Sequence, residues 1–328
     1  MRTRPTAVIL AGGVAKGAFE AGALEVLTAH GIAFSSIVAT SSGALNGTLL
    51  AAAVRSRRTG EAGAQLVRLW EERATWTYAF RPSLPDALAL RGLLSSRPVF
   101  DLLRSEVTPF ASAALDPVSL RIVVAAINGL PARLDGEPAT TYEGVQSFAG
   151  ASFDDPVGRE AVFRAAAASA AFPVLFAPVD VPHRGPCYDG GLVNNSPVRL
   201  AIDDGAECIV LIAPYPAVTR RRAAPRGLAL FTHLAEVLVY ERLYRDLADA
   251  ERVNARIAGL RALDLSADDL TRIRHLLGWR TEAHIVYIHP DAELPGNPLA
   301  GFFSLSLRRQ YIQAGRRAAE SALAHWPT

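Results

Sequence analysis

The sequence predicts an α/β fold built on a mainly parallel sheet, with helical segments inserted between its strands. Three observations predict it. Short apolar runs alternate with stretches of helical periodicity. Two of these runs end in a turn of glycines or serines that leads straight into a helix. A further run, Cys208-Ile209-Val210-Leu211-Ile212, is apolar at every position, as a strand covered on both faces must be.

The first strand is Ala7-Val8-Ile9-Leu10, followed by Gly12 and Gly13. A helix from about Lys16 to His30 comes next, with Phe19, Ala23, Val26 and Leu27 on one face and Gly31 as its stop. The second strand, Ser36 to Thr40, turns at Ser41-Ser42-Gly43 into a helix over Ala44 to Val54. Further strands are expected at Leu120 to Ala126, Leu175 to Val181, Glu207 to Ala213 and Ala283 to His289, the last halted by Pro290. Residues 60–110 read as helical, with exposed-looking aromatics Trp70, Trp76, Tyr78 and Phe80, of which Trp70, Trp76 and Phe80 are expected in the core rather than in a lid. Residues 215–280 read as arginine-rich helices that begin at Arg220-Arg221-Arg222. Within them Val237, Tyr240, Leu243, Tyr244 and Leu247 read as a core-facing stripe with Arg242 and Arg245 on the solvated side, the alternative being an interfacial helix that docks on anionic lipid. No repeat or low-complexity linker divides the chain. The expected organisation is one domain over 1–328, with a core of about 7–215 and 281–320 and helical insertions at about 60–110 and 216–280.

Composition narrows the function classes. Half of the 328 residues are hydrophobic and 20% are charged, enough for a sizeable core. A formal charge of +2 supplies no field that would gather nucleic acid. Lys16 is the only lysine, so arginine carries nearly all the positive charge; with the abundant alanine, this fits a GC-rich coding sequence. Cys187 and Cys208 are too few for a disulfide framework and lack metal-ligand spacing, which suits a reducing compartment. The apolar run Ala7 to Ala11 is too short for a signal peptide, and no stretch reaches the roughly 18 apolar residues of a membrane span. The expectation is a cytoplasmic protein, soluble or at most peripheral at a membrane, with no metal and no cofactor.

Three short motifs carry the chemistry. Ala39-Thr40-Ser41-Ser42-Gly43, at a strand-to-helix junction, has the small-x-Ser-x-Gly form of a nucleophile elbow, with alanine in place of the first glycine. A serine there sits at a strained turn, beside the free N–H groups and positive dipole end of the helix. Taken alone, the pattern reads equally as a helix cap. Ala11-Gly12-Gly13-Val14-Ala15-Lys16-Gly17, at the preceding junction, can turn backbone N–H groups toward an anion. It is not a Walker loop, because Lys16 precedes Gly17 and Ala18 follows. It is not a dinucleotide fingerprint, because Val14 occupies the second glycine position. A pair of donors for a transient oxyanion remains, beside the plainer reading of a packing turn. Tyr188-Asp189-Gly190-Gly191 is a turn motif followed by Asn194-Asn195-Ser196-Pro197, where Ser-Pro starts a helix. This order brings Asp189 to the end of a sheet strand, where open α/β sheets place their sites.

In this order and at these spacings, the three motifs resemble those of patatin-like phospholipases. Ala168-Ser169-Ala170-Ala171-Phe172-Pro173 is similar to the family's stretch before the aspartate loop, and Asn194 to Pro197 to its continuation. The resemblance covers residues 7–50 and 160–215 and leaves the helical insertions poorly matched. It implies a three-layer α/β/α fold and a serine acyl hydrolase of lipid esters, of phospholipase A or lysophospholipase type. It implies Ser41 as nucleophile, Asp189 as base, and the turn at Gly12, Gly13 and Val14 as oxyanion hole. Lys16, Gly17, Ser42, Gly43, Gly190 and Gly191 would support them. The family has a third glycine where Val14 stands; the N–H survives that exchange, the conformational freedom does not.

Competing chemistries share these residues. Ser41, Asp189 and His289 stand in the chain order of an α/β-hydrolase triad, although the elbow follows the second strand, too early for that fold. Acyl transfer to an alcohol would use the same acyl-enzyme. A catalytically silent lipid-binding protein would keep the fold alone.

Overall fold

The computed structural model describes residues 4–110, 117–134, 136–218, 228–263, 265–276 and 282–326. Its strands are β1 (Thr6–Leu10), β2 (Ser36–Thr40), β3 (Arg81–Pro82), β4 (Leu94–Ser95), β5 (Ser119–Leu134), β6 (Glu137–Ala149), β7 (Val179–Val181), β8 (Gly185–Asp189), β9 (Cys208–Ile212) and β10 (His284–Ile288). Eight of them form one sheet in the order β10-β9-β1-β2-β5-β8-β7, with β6 hydrogen-bonded to β5. The five from β10 to β5 run parallel, whereas β6, β7 and β8 join antiparallel. The pair β3 and β4 makes a small separate ribbon.

Alternation along the strands sorts the core into two faces. Val8 and Leu10 of β1, Ile37 and Ala39 of β2, and Val210 and Ile212 of β9 face one way. They pack beneath α1 (Gly17–Ala29), α2 (Ser42–Arg55), α3 (Thr59–Glu72) and the helices Pro156–Ser169 and Leu305–Leu323. Ala7, Ile9, Val38, Ile209 and Leu211 face the other way, against the helices Val198–Asp203 and Leu228–Arg261. The result is a three-layer α/β/α arrangement. It explains why β2 and β9 are buried at all five positions, and why consecutive apolar residues, Ile37 to Ala39 and Cys208 to Ile212, run through them without alternation.

One detail of register positions everything that follows. Along one edge of β5, β6 pairs with Ser119 to Ala125. The opposite edge is shared by two strands placed end to end. There β2 pairs up to Thr40 against Val123, and β8 takes over with Asp189 against Val124. The last residue of β2 and the last of β8 therefore meet at adjacent positions of one strand.

The structure departs from the sequence reading in four places. β5 runs on to Leu134 and returns as β6, a long hairpin with a mostly exposed far end, where the sequence suggested a strand ending at Ala126. The strand expected over Leu175 to Val181 is only Val179–Val181, and Asp189 ends a strand of its own, β8. In the helix Leu228–Arg261, the buried line is Leu243 and Ala250 with Leu247 beside them, while Val237 and Tyr244 are exposed. Residue 244 lies about 100° around the helix from 243, so both cannot face the core. Trp70 and Phe80 are buried as core residues, but Trp76 is exposed. Arg220-Arg221-Arg222 lies outside the described residues.

Candidate active site

Ser41 stands between the end of β2 and the start of α2 with φ 56° and ψ −129°. A non-glycine residue holds that conformation only when its surroundings enforce it. The enforcing contact comes from Ser169, which ends the helix Pro156–Ser169. Its Oγ accepts the Ser41 N–H at 2.8 Å and donates to the Val123 carbonyl at 2.6 Å. Ser41 is thus fastened to β5, the strand against which Asp189 is also paired.

The Ser41 hydroxyl donates to Asp189 Oδ2 at 2.7 Å. The other carboxylate oxygen, Oδ1, accepts the Gly191 N–H at 2.8 Å, and the Asp189 N–H donates to the Ala171 carbonyl at 3.0 Å. Both side chains are almost wholly buried. Burial pushes the Asp189 carboxyl up to about 7, against the opposing pull of the Ser41 hydroxyl and the Gly191 N–H. An ordinary carboxylate is a poor base toward a serine; one raised to the neutral range is matched to the task. Gly190 makes the approach possible, since a Cβ there would lie 2.1 Å from the Val123 carbonyl oxygen.

The glycine turn after β1 lies against both groups. A Cβ on Gly12 would fall 2.5 Å from Ser41 Cβ and from Asn195 Oδ1. Asn195 grips this turn with both ends of its amide: Oδ1 accepts the Gly12 N–H at 2.8 Å, and Nδ2 donates to the Gly12 carbonyl at 3.2 Å. The Gly13 N–H donates to Ser42 Oγ at 3.0 Å. Among the described residues the Val14 N–H has no hydrogen-bond partner. Of the three turn residues singled out in the sequence, two have donors already engaged and one has its donor open. Gly191 lines the site, whereas Lys16, Gly17, Gly43 and Gly190 lie behind it.

Two apolar cavities meet at the Ser41–Asp189 pair. The first runs between α2, α3 and the helix Arg97–Val107, past Leu45, Leu49, Leu66, Trp70, Leu103 and Phe302. The second opens over the glycine turn, past Tyr215, Leu192, Leu238 and Val239. Under the first cavity, Trp70 Nε1 donates to Asn46 Oδ1 at 2.9 Å, and Asn46 Nδ2 donates to Glu20 Oε2 at 2.8 Å. Burial holds the Glu20 carboxyl well above the usual carboxylate range, against the opposing pull of the Asn46 amide.

Asp189 Oδ2 accepts from the Ser41 hydroxyl, and Val14 with its open backbone donor lines the same apolar crevice, an arrangement suited to attack on an ester carbonyl. The family model for patatin-like phospholipase matches residues 8–202, which hold both groups. This chain belongs to the patatin-like phospholipase family. Members of that family are lipid ester hydrolases, and membership makes the chain a lipid acyl hydrolase. Among solved structures it is similar to VipD from Legionella pneumophila, with TM-score 0.43 and 13% identity over 98% of this chain and 67% of that one. It is also similar to the type III effector ExoU, with TM-score 0.35 and 13% identity over 98% of this chain and 53% of that one. A sequence comparison with curated proteins returned no match.

His289 takes no part in this constellation. Its ring packs against Tyr287 at 4.5 Å, its Nδ1 lies 3.1 Å from the Pro290 carbonyl, and it lines neither cavity. Ser169 and Asn195 were not singled out as site residues in the sequence, although both lie in the segments that carry the resemblance. The resemblance marks their segments, but nothing local in the sequence marks their roles, because the partners lie far along the chain.

The raised Asp189 carboxyl has a consequence for stability. Below the unfolded-state value near 3.8 the group is neutral in both states and costs nothing. As pH rises from there to about 7, the unfolded chain ionises first and the fold loses stability; above 7 the loss is constant. Asp189→Asn is therefore expected to melt several degrees above wild type at pH 8 and level with it near pH 4. A gap that does not change with pH, read by thermal unfolding, would contradict the assignment.

Proposed function

We propose that the chain is a serine acyl hydrolase of the phospholipase A or lysophospholipase type, acting through a Ser41–Asp189 dyad. The observation that carries this reading is the 2.7 Å bond between the Ser41 hydroxyl and a buried carboxylate with no histidine between them. Asp189 Oδ2 takes the hydroxyl proton as Oγ attacks the ester carbonyl. The Val14 N–H receives the developing oxyanion, joined by the Gly13 N–H as it releases Ser42 Oγ. Asp189 then gives the proton to the leaving alcohol oxygen, which leaves Ser41 acylated. A water enters, surrenders a proton to the same carboxylate, and its oxygen attacks the acyl carbon to release the fatty acid and restore the hydroxyl. The first cavity holds the acyl chain.

The same reading includes contact with a lipid surface. No described helix is long and apolar enough to cross a membrane. An apolar rim nevertheless continues outward from the first cavity: Phe80, which lines it, stacks on Trp76, and Trp76 stacks on the exposed Phe303. Leu84, Leu88, Leu93 and the 94%-exposed Leu90 come from the same segment, beside the exposed Arg81, Arg91 and Arg97. Exposed leucines with arginines around them fit an anionic bilayer surface.

Two experiments test the reading. Ser41→Ala and Asp189→Asn are each expected to lower kcat for a chromogenic acyl ester by about a thousandfold or more without unfolding the protein. Ser41→Ala should also lose labelling by a fluorophosphonate, while His289→Ala keeps most of its activity; an active Ser41→Ala enzyme would sink the mechanism. Replacing Leu88 and Leu90 together by aspartate is expected to abolish sedimentation with phosphatidylglycerol vesicles while sparing a soluble short-chain ester. Undiminished vesicle binding would remove the rim from the proposal.

A further inference from the structure

Val14 is a β-branched residue held at φ 53°, in the left-handed region where a valine is strained and a glycine is not. Strain of this kind persists where the neighbouring structure or the function requires it. The residue is half-buried and borders open space. That space is both cavities at once. Six residues line the two together: Ser41, Asp189, and the apolar group Val14, Phe172, Leu175 and Leu299. These four residues stand where the two cavities meet. Val14 is the one among them that belongs to the glycine turn, with its open N–H in the same residue. An ester carbonyl bound at this donor sits at a residue that lines both cavities.

We propose that Val14 is the specificity-determining residue of the site, admitting esters of primary alcohols and excluding esters whose alcohol carbon bears a second substituent. This rests on the reading of Ser41 and Asp189 as an acyl-hydrolase dyad and deepens it to positional selectivity. The acyl chain lies in the first cavity. The remainder of the alcohol lies in the second, where Asn195, Tyr215 and Glu236 stand among the apolar walls and suit a glycerol backbone with its oxygens. The preferred ester of a glycerolipid is then a terminal one, since the central ester carries a glycerol carbon on each side and one of them meets the isopropyl group.

The test uses two isomeric phosphatidylcholines in mixed micelles, one with an ester at the terminal position and an ether at the central one, the other reversed. The ether prevents both cleavage and acyl migration at the second position. Wild type is expected to favour the terminal ester by about tenfold or more in kcat/KM, the scale on which a pocket senses one carbon substituent. Val14→Gly is expected to bring the two rates close to parity, with Val14→Ala between. The ratio does not depend on what fraction of a variant is folded, so a loosened turn alone would lower both rates and leave it unchanged. Equal rates in wild type, preference for the central ester, or a ratio that survives Val14→Gly would each overturn the proposal. Failure of the wild type to cleave either isomer would instead count against the lipid acyl-hydrolase reading, and the proposal would fall with it.

Discussion

The edge of β5 that β2 and β8 share is the constraint on which the rest of the site depends. Hydrogen bonding along a strand fixes position to within a fraction of a residue spacing, and here it fixes two chain ends against neighbouring residues, Val123 and Val124. Neither Ser41 nor Asp189 sits on a loop free to drift. The nucleophile is the residue after β2, the carboxylate is the last residue of β8, and Ser169 ties the first to the carbonyl of Val123. A dyad has no third residue to correct a misplaced partner, so its geometry has to come from the sheet.

Electrostatics follow from that placement. Drawing the carboxylate under the sheet edge removes it from water, which raises its proton affinity without any acidic neighbour. The cost is a destabilised ionised form, offset by the packing of the three layers around it. Asn195 does for the glycine turn what Ser169 does for the elbow: it spans from the segment after the aspartate to the turn after β1 and clamps it through both amide atoms. The site is thereby closed into a ring, elbow to aspartate to asparagine to glycine turn, with one backbone donor of the turn left open.

Much of this was legible in the sequence, because the parallel strands are covered on both faces and announce themselves as apolar runs. β2 begins and ends where the sequence reading put it, and β9 lies within the predicted run. The turns were legible too, since glycine and serine at strand-to-helix junctions have few other uses. The long hairpin of β5 and β6 was not, because an exposed ribbon has no buried face to impose alternation. β8 was hidden for a different reason: it is five residues long and opens with Gly185-Pro186, residues that read as a turn. The roles of Ser169 and Asn195 were out of reach, because their hydrogen bonds join residues 128 and 183 positions apart. Such pairings are set by tertiary packing and leave no local pattern.

The central claim is that a buried carboxylate, directly bonded to the serine, serves as its base. The pH dependence of the second-order rate of fluorophosphonate inactivation tests it most directly, since that step needs the nucleophile and base but no lipid interface. The account predicts a rate that climbs with pH through a midpoint close to 7 and levels off above it, as Asp189 loses its proton. A midpoint near 4, or a rate unchanged from pH 5 to pH 9, would contradict it.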